Sequence, residues 1–405
     1  MTMIDTSGPT EAAVANQPSR ISRRRVLQVA GVGGATVLVA GGGLLSYRAH
    51  DTGALRPGSG TAYEPWDGWR DDPSPLGAVA AAVLAANPHN TQPWTFRVSD
   101  TSIELSTDGG RRMPTVDPYD REQQIGLGCA LENLVLALDA RGYRTEVATG
   151  ADADHPGRLA AVEFRAGTPV ASALYEAIGD RHTDRGPYRP DPVPAAVLTQ
   201  LGAHDDLAGV GLTWIEDAGD RAALSALLIT ATEAIIADRE QSEEAFSWFR
   251  SGPDDIERHR DGLTLDGQGF GPVKLAVAKL LPPSSRTDGD AFWLDQTRTV
   301  HTATAAAYGV VTADDVDDTA SRLAGGRLLQ RMHLRATVAG LGLQPMNQVT
   351  ERIDRERSLG RTSALAAPLA RLLADGGQPL VAFRIGYPTR AARRSPRRPV
   401  SAVTA

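Results

Sequence analysis

Hydrophobic positions along this chain switch between a helical and a two-residue period, and the switches mark out its elements. Residues 76–86 are rich in Ala, Val and Leu and predict a helix that stops at Asn87-Pro88, because proline disfavours helical geometry at the residue before it. Residues 95–98 and 103–106 alternate around Asp100 and predict a hairpin. The most apolar helix of the first half covers 125–140, with Gly142 at its C-terminal end, and strand-like 144–149 and 160–165 follow.

Further on, 172–179 and 191–202 read as short helices, the second opened by Pro192 and Pro194. Residues 210–215 alternate like a strand, 221–239 form a long amphipathic helix, and 327–341 look like a buried one. An extended stretch at 343–349 and a core strand at 379–386 close the pattern. Two regions lack a period. Residues 51–75 carry Gly, Pro and Trp and read as a linker along the surface. Residues 251–290 gather Gly262, Gly267, Gly269, Gly271, Pro282 and Pro283 around one apolar piece at 273–281, which predicts a long functional or disordered loop.

The helix at 125–140 closes on Arg141-Gly142-Tyr143-Arg144, and the later helix closes on Gly340-Leu341-Gly342-Leu343, each before an extended segment. This echo hints at a duplication. At 405 residues the chain suits two domains or one large domain of two similar halves. The expected division is 1–50, 51–75, 76–170, 171–388 and an Arg-rich tail at 389–405.

Before all this, Ser22-Arg23-Arg24-Arg25-Val26-Leu27 leads into an uncharged stretch at 26–45. It reads as a twin-arginine export signal, so the expected location is extracytoplasmic. The stretch is long enough to span a bilayer, and no convincing small-residue cleavage site follows, so cleavage and retention as a membrane attachment both fit. Twin-arginine substrates cross the membrane folded, which leads us to expect a cofactor.

Composition narrows the chemistry. With 42 Lys+Arg against 49 Asp+Glu, a net charge of -7 makes no nucleic acid partner expected. Cys129 is the sole cysteine, which excludes an intramolecular disulfide and a Cys-rich metal centre.

Three clusters carry candidate chemistry. Asn87-Pro88-His89-Asn90-Thr91-Gln92-Pro93-Trp94 lies between a helix and a strand, and its amides offer donors and acceptors to a heterocycle edge or simply cap a buried Trp. Arg181-His182-Thr183-Asp184-Arg185 places two guanidinium groups four residues apart around a hydroxyl, suited to a phosphate or to a solvated turn. The tail brings Arg397-Arg398-Pro399, by itself the pattern of a solvated end.

Together with Gly340-Leu341-Gly342-Leu343-Gln344-Pro345 and Gly386-Tyr387-Pro388, these clusters resemble the flavin-dependent nitroreductase superfamily over roughly residues 76–400. Within it the chain is most similar to the Acg-like branch, in which one chain contains two related halves. The resemblance implies an α+β fold of nitroreductase-like three-layer α/β/α type, a pseudo-dimer acting as a monomer. Only the first half keeps Asn90-x-Gln92-Pro93-Trp94 and only the second keeps Arg181-His182-Thr183-x-Arg185, which implies one FMN per chain in a composite site.

Carried over by position, Arg181 and Thr183 match ribityl and phosphate ligands, and Arg185 matches the cation beside flavin N1 and the C2 carbonyl. Arg397, with Arg398, matches a C-terminal phosphate ligand. Met346, Asn347 and Gln348 match the stretch whose N–H groups reach N5, while Asn87, Asn90 and Gln92 come from the opposite half. Where the family has Pro-Ser this chain has Ala86-Asn87. The implied reaction passes a hydride from NAD(P)H through FMN to a small-molecule acceptor such as a nitro compound or quinone. The alternative is an FMN-sequestering protein lidded by 251–290.

Overall fold

The computed structural model describes residues 52–150, 155, 157–204, 206–373 and 376–405, and the expected export signal lies outside the described residues. Helix α1 (Pro75–Ala82) starts with proline in its first turn, where a missing N–H breaks no hydrogen bond. Strands β1 (Trp94–Val98) and β2 (Ser102–Thr107) form the expected hairpin, in register from Trp94↔Thr107 to Val98↔Ile103. Helix α2 (Arg121–Ala140), β3 (Tyr143–Thr149) and β4 (Arg158–Ala166) follow. The four strands make an antiparallel sheet in the order β1-β2-β4-β3. Phe96, Ile103, Leu105 and Val162 bury one face, and Arg97, Glu104 and Glu163 on the other face meet water.

Two short helices, α3 (Ala173–Glu176) and α4 (Ala195–Leu201), precede β5 (Val210–Ile215) and α5 (Ala218–Ala237). An insertion then adds α6 (Arg239–Ser247), β6 (Phe249–Arg250), α7 (Pro253–His259), β7 (Leu263–Thr264), α8 (Pro272–Leu280) and α9 (Arg286–Gln296). After a π turn at Thr297–His301 come β8 (Ala307–Ala313), α10 (Thr319–Val338), β9 (Gly342–Pro345), α11 (Gln348–Ser358), α12 (Ala366–Ala370) and β10 (Gln378–Gly386). The second antiparallel sheet runs β5-β8-β10-β9, so the order first, second, fourth, third recurs. This sheet is helix-covered on both faces, and β8 is buried at every position. The three-layer α/β/α arrangement therefore holds around the second sheet, whereas the first is covered on one face only.

Helices α2 and α10, 20 residues each, cross at the centre of the molecule. Their backbones touch there: a Cβ on Gly128 would lie 2.2 Å from the Leu323 carbonyl oxygen, and one on Gly326 2.1 Å from that of Ile125. Gln330 Nε2 donates to Asn133 Oδ1 at 2.8 Å, and Arg327 Nε to Glu132 Oε2 at 2.8 Å, across the same interface.

Four sequence expectations need correction. The described part of the expected surface linker at 51–75, residues 52–75, packs against the protein: Tyr63, Trp66 and Trp69 are buried and Trp66 Nε1 donates to the Ser395 carbonyl at 2.7 Å. Residues 251–290 are not a loop but hold α7, β7, which pairs with β6 just before them, α8 and the start of α9. The extended stretch ends at Pro345, and Gln348 already begins α11. The tail is not a solvated end: Phe96 N donates to the Val403 carbonyl at 2.7 Å and Ala405 N to that of Phe96 at 2.9 Å, covering the β1 edge. Among the described residues no helix is long and apolar enough to cross a membrane, and no cluster could hold a metal ion.

Candidate functional site

A cavity of about 370 Å³ lies between the two sheets and under the 239–301 insertion, within the range of small-molecule sites. Its inner walls come from residues 86–89, from Glu122, Ile125 and Gly126 on α2, and from Thr183, Arg185 and Leu329. Gln344, Pro345, Asn347, Gln348 and Glu351 form the side beside β9 and α11. Phe246, Phe249, Phe270, Phe292 and Trp293 of the insertion make an aromatic roof.

The first cluster is a turn in which His89, Asn90 and Gln92 all have left-handed φ, at 47°, 55° and 51°. Each such residue carries strain of about 1 kcal/mol or more, so the contacts around it must fix it. They do. Asn87 Oδ1 accepts from Gln92 N at 2.8 Å. Asn90 Nδ2 donates to the carbonyls of Gly262 at 3.1 Å and Pro396 at 3.0 Å, and its Oδ1 accepts from Arg397. Gln92 Nε2 donates to the Arg260 carbonyl at 2.8 Å and its Oε1 accepts from Arg398 N at 2.7 Å. Of these, Asn87 and His89 line the cavity, while Asn90 and Gln92 do not. In this structure both amides instead tie the insertion and the tail to the turn. Burial and the nearby Arg185 cation hold the His89 imidazole down at about 4, neutral at pH 7.

The second cluster divides the same way. Thr183 and Arg185 line the cavity. Arg181 lies behind the wall, with Nη2 donating to the Leu84 carbonyl at 2.8 Å and Nη1 3.3 Å from His333 Nδ1. Arg397 lies there too, reaching the carbonyls of Leu84 at 3.3 Å and Ala85 at 3.2 Å, with its guanidinium 4.9 Å from the Trp66 ring. Burial lowers both arginines, Arg181 to about 10 and Arg397 well below its ordinary value, where Arg181 adds to the effect. Neither pairs with a carboxylate among the described residues, yet neither reaches the cavity, so they brace residues 84–85 in this structure. Arg398 is half-buried and pairs with Asp108 at 3.1 Å, outside the cavity.

Arg185 is different. Its Nη1 donates to the Gly267 carbonyl at 3.3 Å, and among the described residues it forms no ion pair. Burial, reinforced by Arg384, lowers it to about 10, which leaves it charged at neutral pH. Arg384 was missed by the sequence reading because it sits inside a core strand. Its guanidinium donates to the Gly186 carbonyl at 2.7 Å and to Gln344 Oε1 at 2.7 Å, and lies 4.1 Å from the Tyr188 ring. It thereby locks the loop that aims Arg185.

The stretch after β9 is split by its own backbone. Met346 N–H donates to the Ala382 carbonyl at 2.7 Å and its side chain is in the core, so Met346 offers nothing to the cavity. Asn347 and Gln348 line it, and Asn347 Oδ1 and Gln348 Oε1 accept no hydrogen bond among the described residues. The same wall holds Glu351, one turn along α11 from Gln348, and Glu122 of α2, which the sequence reading also missed. Burial raises both carboxyls, Glu351 to about 7 and Glu122 well above the usual range, where the charge of Glu351 adds to the effect.

No family model matches the chain. A Mycobacterium tuberculosis protein named "Putative NAD(P)H nitroreductase" is 30% identical over 317 residues, 76% of this chain and 83% of that relative. Acg of the same organism, which carries the same description, is 26% identical over 339 residues, 80% and 93% of the two lengths. Among solved structures, the FMN-dependent nitroreductase NfnB of Mycobacterium smegmatis in complex with NADPH is similar at 18% identity and a TM-score of 0.35, over 57% of this chain and 97% of that one. A nitroreductase with bound FMN from Desulfitobacterium hafniense gives 12% and 0.34, over 57% and 95%. With an identity of 30% sustained over most of both lengths, the chain belongs to the NAD(P)H nitroreductase family.

Proposed function

We propose that the chain is an FMN-dependent oxidoreductase that takes a hydride from NAD(P)H and passes it to a small electrophile such as a nitro compound or a quinone. The observation that carries this reading is Arg185, a cation without an ion pair in the wall of an otherwise largely apolar, roofed cavity. Bound FMN would supply reversible hydride chemistry, and the residues present fit it. Thr183 and Arg185 would hold its polar edge, where a fixed positive charge favours the reduced state. Asn347 and Gln348 bring unpaired acceptors, and His89 presents a neutral ring. The aromatic roof would exclude water and stack against planar partners.

The same roof favours a second reading, an FMN-sequestering protein closed against substrates. The absorption spectrum of the full chain, loaded with FMN and kept anaerobic, separates the two: bleaching with NADPH or NADH supports the oxidoreductase. A bound flavin that only dithionite bleaches supports sequestration, and no retained flavin sinks both.

Internal duplication with pseudo-dimeric use of one chain is part of this proposal. It is supported by the repeated strand order, by the equal lengths of α2 and α10, and by the same spacing from Gly128 to Gly142 as from Gly326 to Gly340. Export through the twin-arginine pathway is proposed from Ser22-Arg23-Arg24 and 26–45 alone. Replacing Arg23 and Arg24 by Lys should retain the chain inside the cell in a fractionation assay.

A further inference from the structure

Glu122, on the first turn of α2, and Glu351, on α11, meet in the cavity wall from elements far apart in sequence. Both are more than nine-tenths buried. Glu122 Oε1 accepts no hydrogen bond from any described donor, although a carboxylate there would require one. A proton held between the two carboxyls satisfies that oxygen. The charged groups around the pair are Arg121, Asp117 and Asp354. Arg121 Nε is committed to Asp354 Oδ2 at 2.8 Å and its Nη2 is 3.8 Å from Glu122 Oε1. Asp117 stands behind Glu122, its Oδ2 accepting from Gln123 N at 2.8 Å. Arg121 acts on both glutamates and is shared with Asp117 and Asp354, on which Arg322 also acts and, at Asp354, Arg357; burial of the two glutamates, and at Glu122 the charge of Glu351, favours retention of a proton. Gln348 Oε1 is buried in the same wall with no donor, so it can accept from an O–H that forms on a molecule held there.

We propose that Glu122 and Glu351 share one proton and deliver it to the oxygen of a conjugated carbonyl acceptor seated against Gln348. The proposal rests on the flavin reading above, with reduced FMN as the hydride source. The hydride forms a C–H bond at the β-carbon of the acceptor, and the C=C electron pair moves so that the former carbonyl oxygen gains the negative charge. That oxygen takes the shared proton, giving the neutral enol, whose O–H donates to Gln348 Oε1. The flavin is left oxidised, and the carboxyl pair regains its proton from water.

Two measurements on the full chain test this. Infrared spectra of the flavin-free wild type, collected across pH, should show a protonated-carboxyl C=O band that persists after ordinary carboxyls have ionised and is missing from Glu122→Gln and Glu351→Gln. Without that band in the wild type the proposal is overturned whatever the activity. In the FMN-loaded, pre-reduced chain, reoxidation by 2-cyclohexenone should slow as the pair ionises with rising pH. Both variants should reoxidise about 10²-fold more slowly and without that pH dependence. Wild-type rates in both variants, or a loaded wild type that does not reduce the enone, overturn the delivery step. If the variants do not fold, the wild-type band and pH profile decide. A wild type that retains no FMN fails the flavin reading instead, and the infrared band still judges the carboxyl pair.

Discussion

Arg185 and Asn90 stand at comparable depth in the sequence motifs but do different work. Arg185 faces the cavity without an ion pair, so Arg185→Met should make the bound flavin harder to reduce, read as a more negative midpoint in an anaerobic redox titration. Asn90 holds Gly262, Pro396 and Arg397 together, so Asn90→Ala should cost about 2–4 kcal/mol, seen as a lower urea midpoint. Glu351 gives a third expectation. Its folded-state value of about 7 lies above that of the unfolded chain, so the folded state binds more protons between the two values. Its stabilising contribution is complete below the unfolded value and is lost as pH rises towards 7. Glu351→Gln should therefore gain stability relative to wild type on going from acid to mildly alkaline pH, and a flat difference between the two denaturation series would refute this. The motifs made Arg185 and Asn90 visible as important residues. Only the fold shows which one faces the cavity, because a side chain's direction out of a strained turn is set by what surrounds it.

At the scale of elements, regular periods were legible and protein-covered ones were not. The strand at 210–215 was predicted with its observed bounds because its alternation is local. β8 was missed because a strand buried on both faces shows no alternation. The insertion was misread as a loop because its prolines and glycines were taken as breakers. Pro253 and Pro272 instead open helices, and Gly262 and Gly269 adopt left-handed turns at φ 75° and 70°. The long helix α10 was partly found, since it begins at Thr319, eight residues before the expected start at 327, and its contact with α2 was not legible at all. That contact predicts a sharp penalty: Gly326→Val should lower the urea midpoint strongly, by about 1–3 kcal/mol or more, since backbone lies where the side chain must go.

Across the whole molecule, segments distant in sequence close the site. The strap around Trp66 covers Arg397, the tail caps β1, and the insertion roofs the cavity. Deleting residues 396–405 removes the tail partners of Asn90 and Gln92, which are Pro396, Arg397 and Arg398, together with the β1 edge cover. The truncated chain should melt at lower temperature and lose FMN during gel filtration, while a chain that keeps both properties would show that the tail only decorates the surface. Acid should also weaken the molecule as a whole. Burial holds His89 at about 4 and His182 at about 3, both below the unfolded value, so their stabilising contribution is lost as pH falls from about 6.5.

The sequence by itself determined the periodic elements, the recurring helix-to-glycine ends, the motifs that carry the family resemblance and the acidic charge balance, because each is written in neighbouring residues. The tertiary structure alone decided which motif residues face the cavity and which brace it, and it brought Glu122 and Glu351 together from two helices. It also turned an aperiodic Gly- and Pro-rich stretch into a roof. These outcomes depend on contacts between positions far apart in the chain, where local pattern carries no information and burial, backbone approach and the pairing of polar groups set the result.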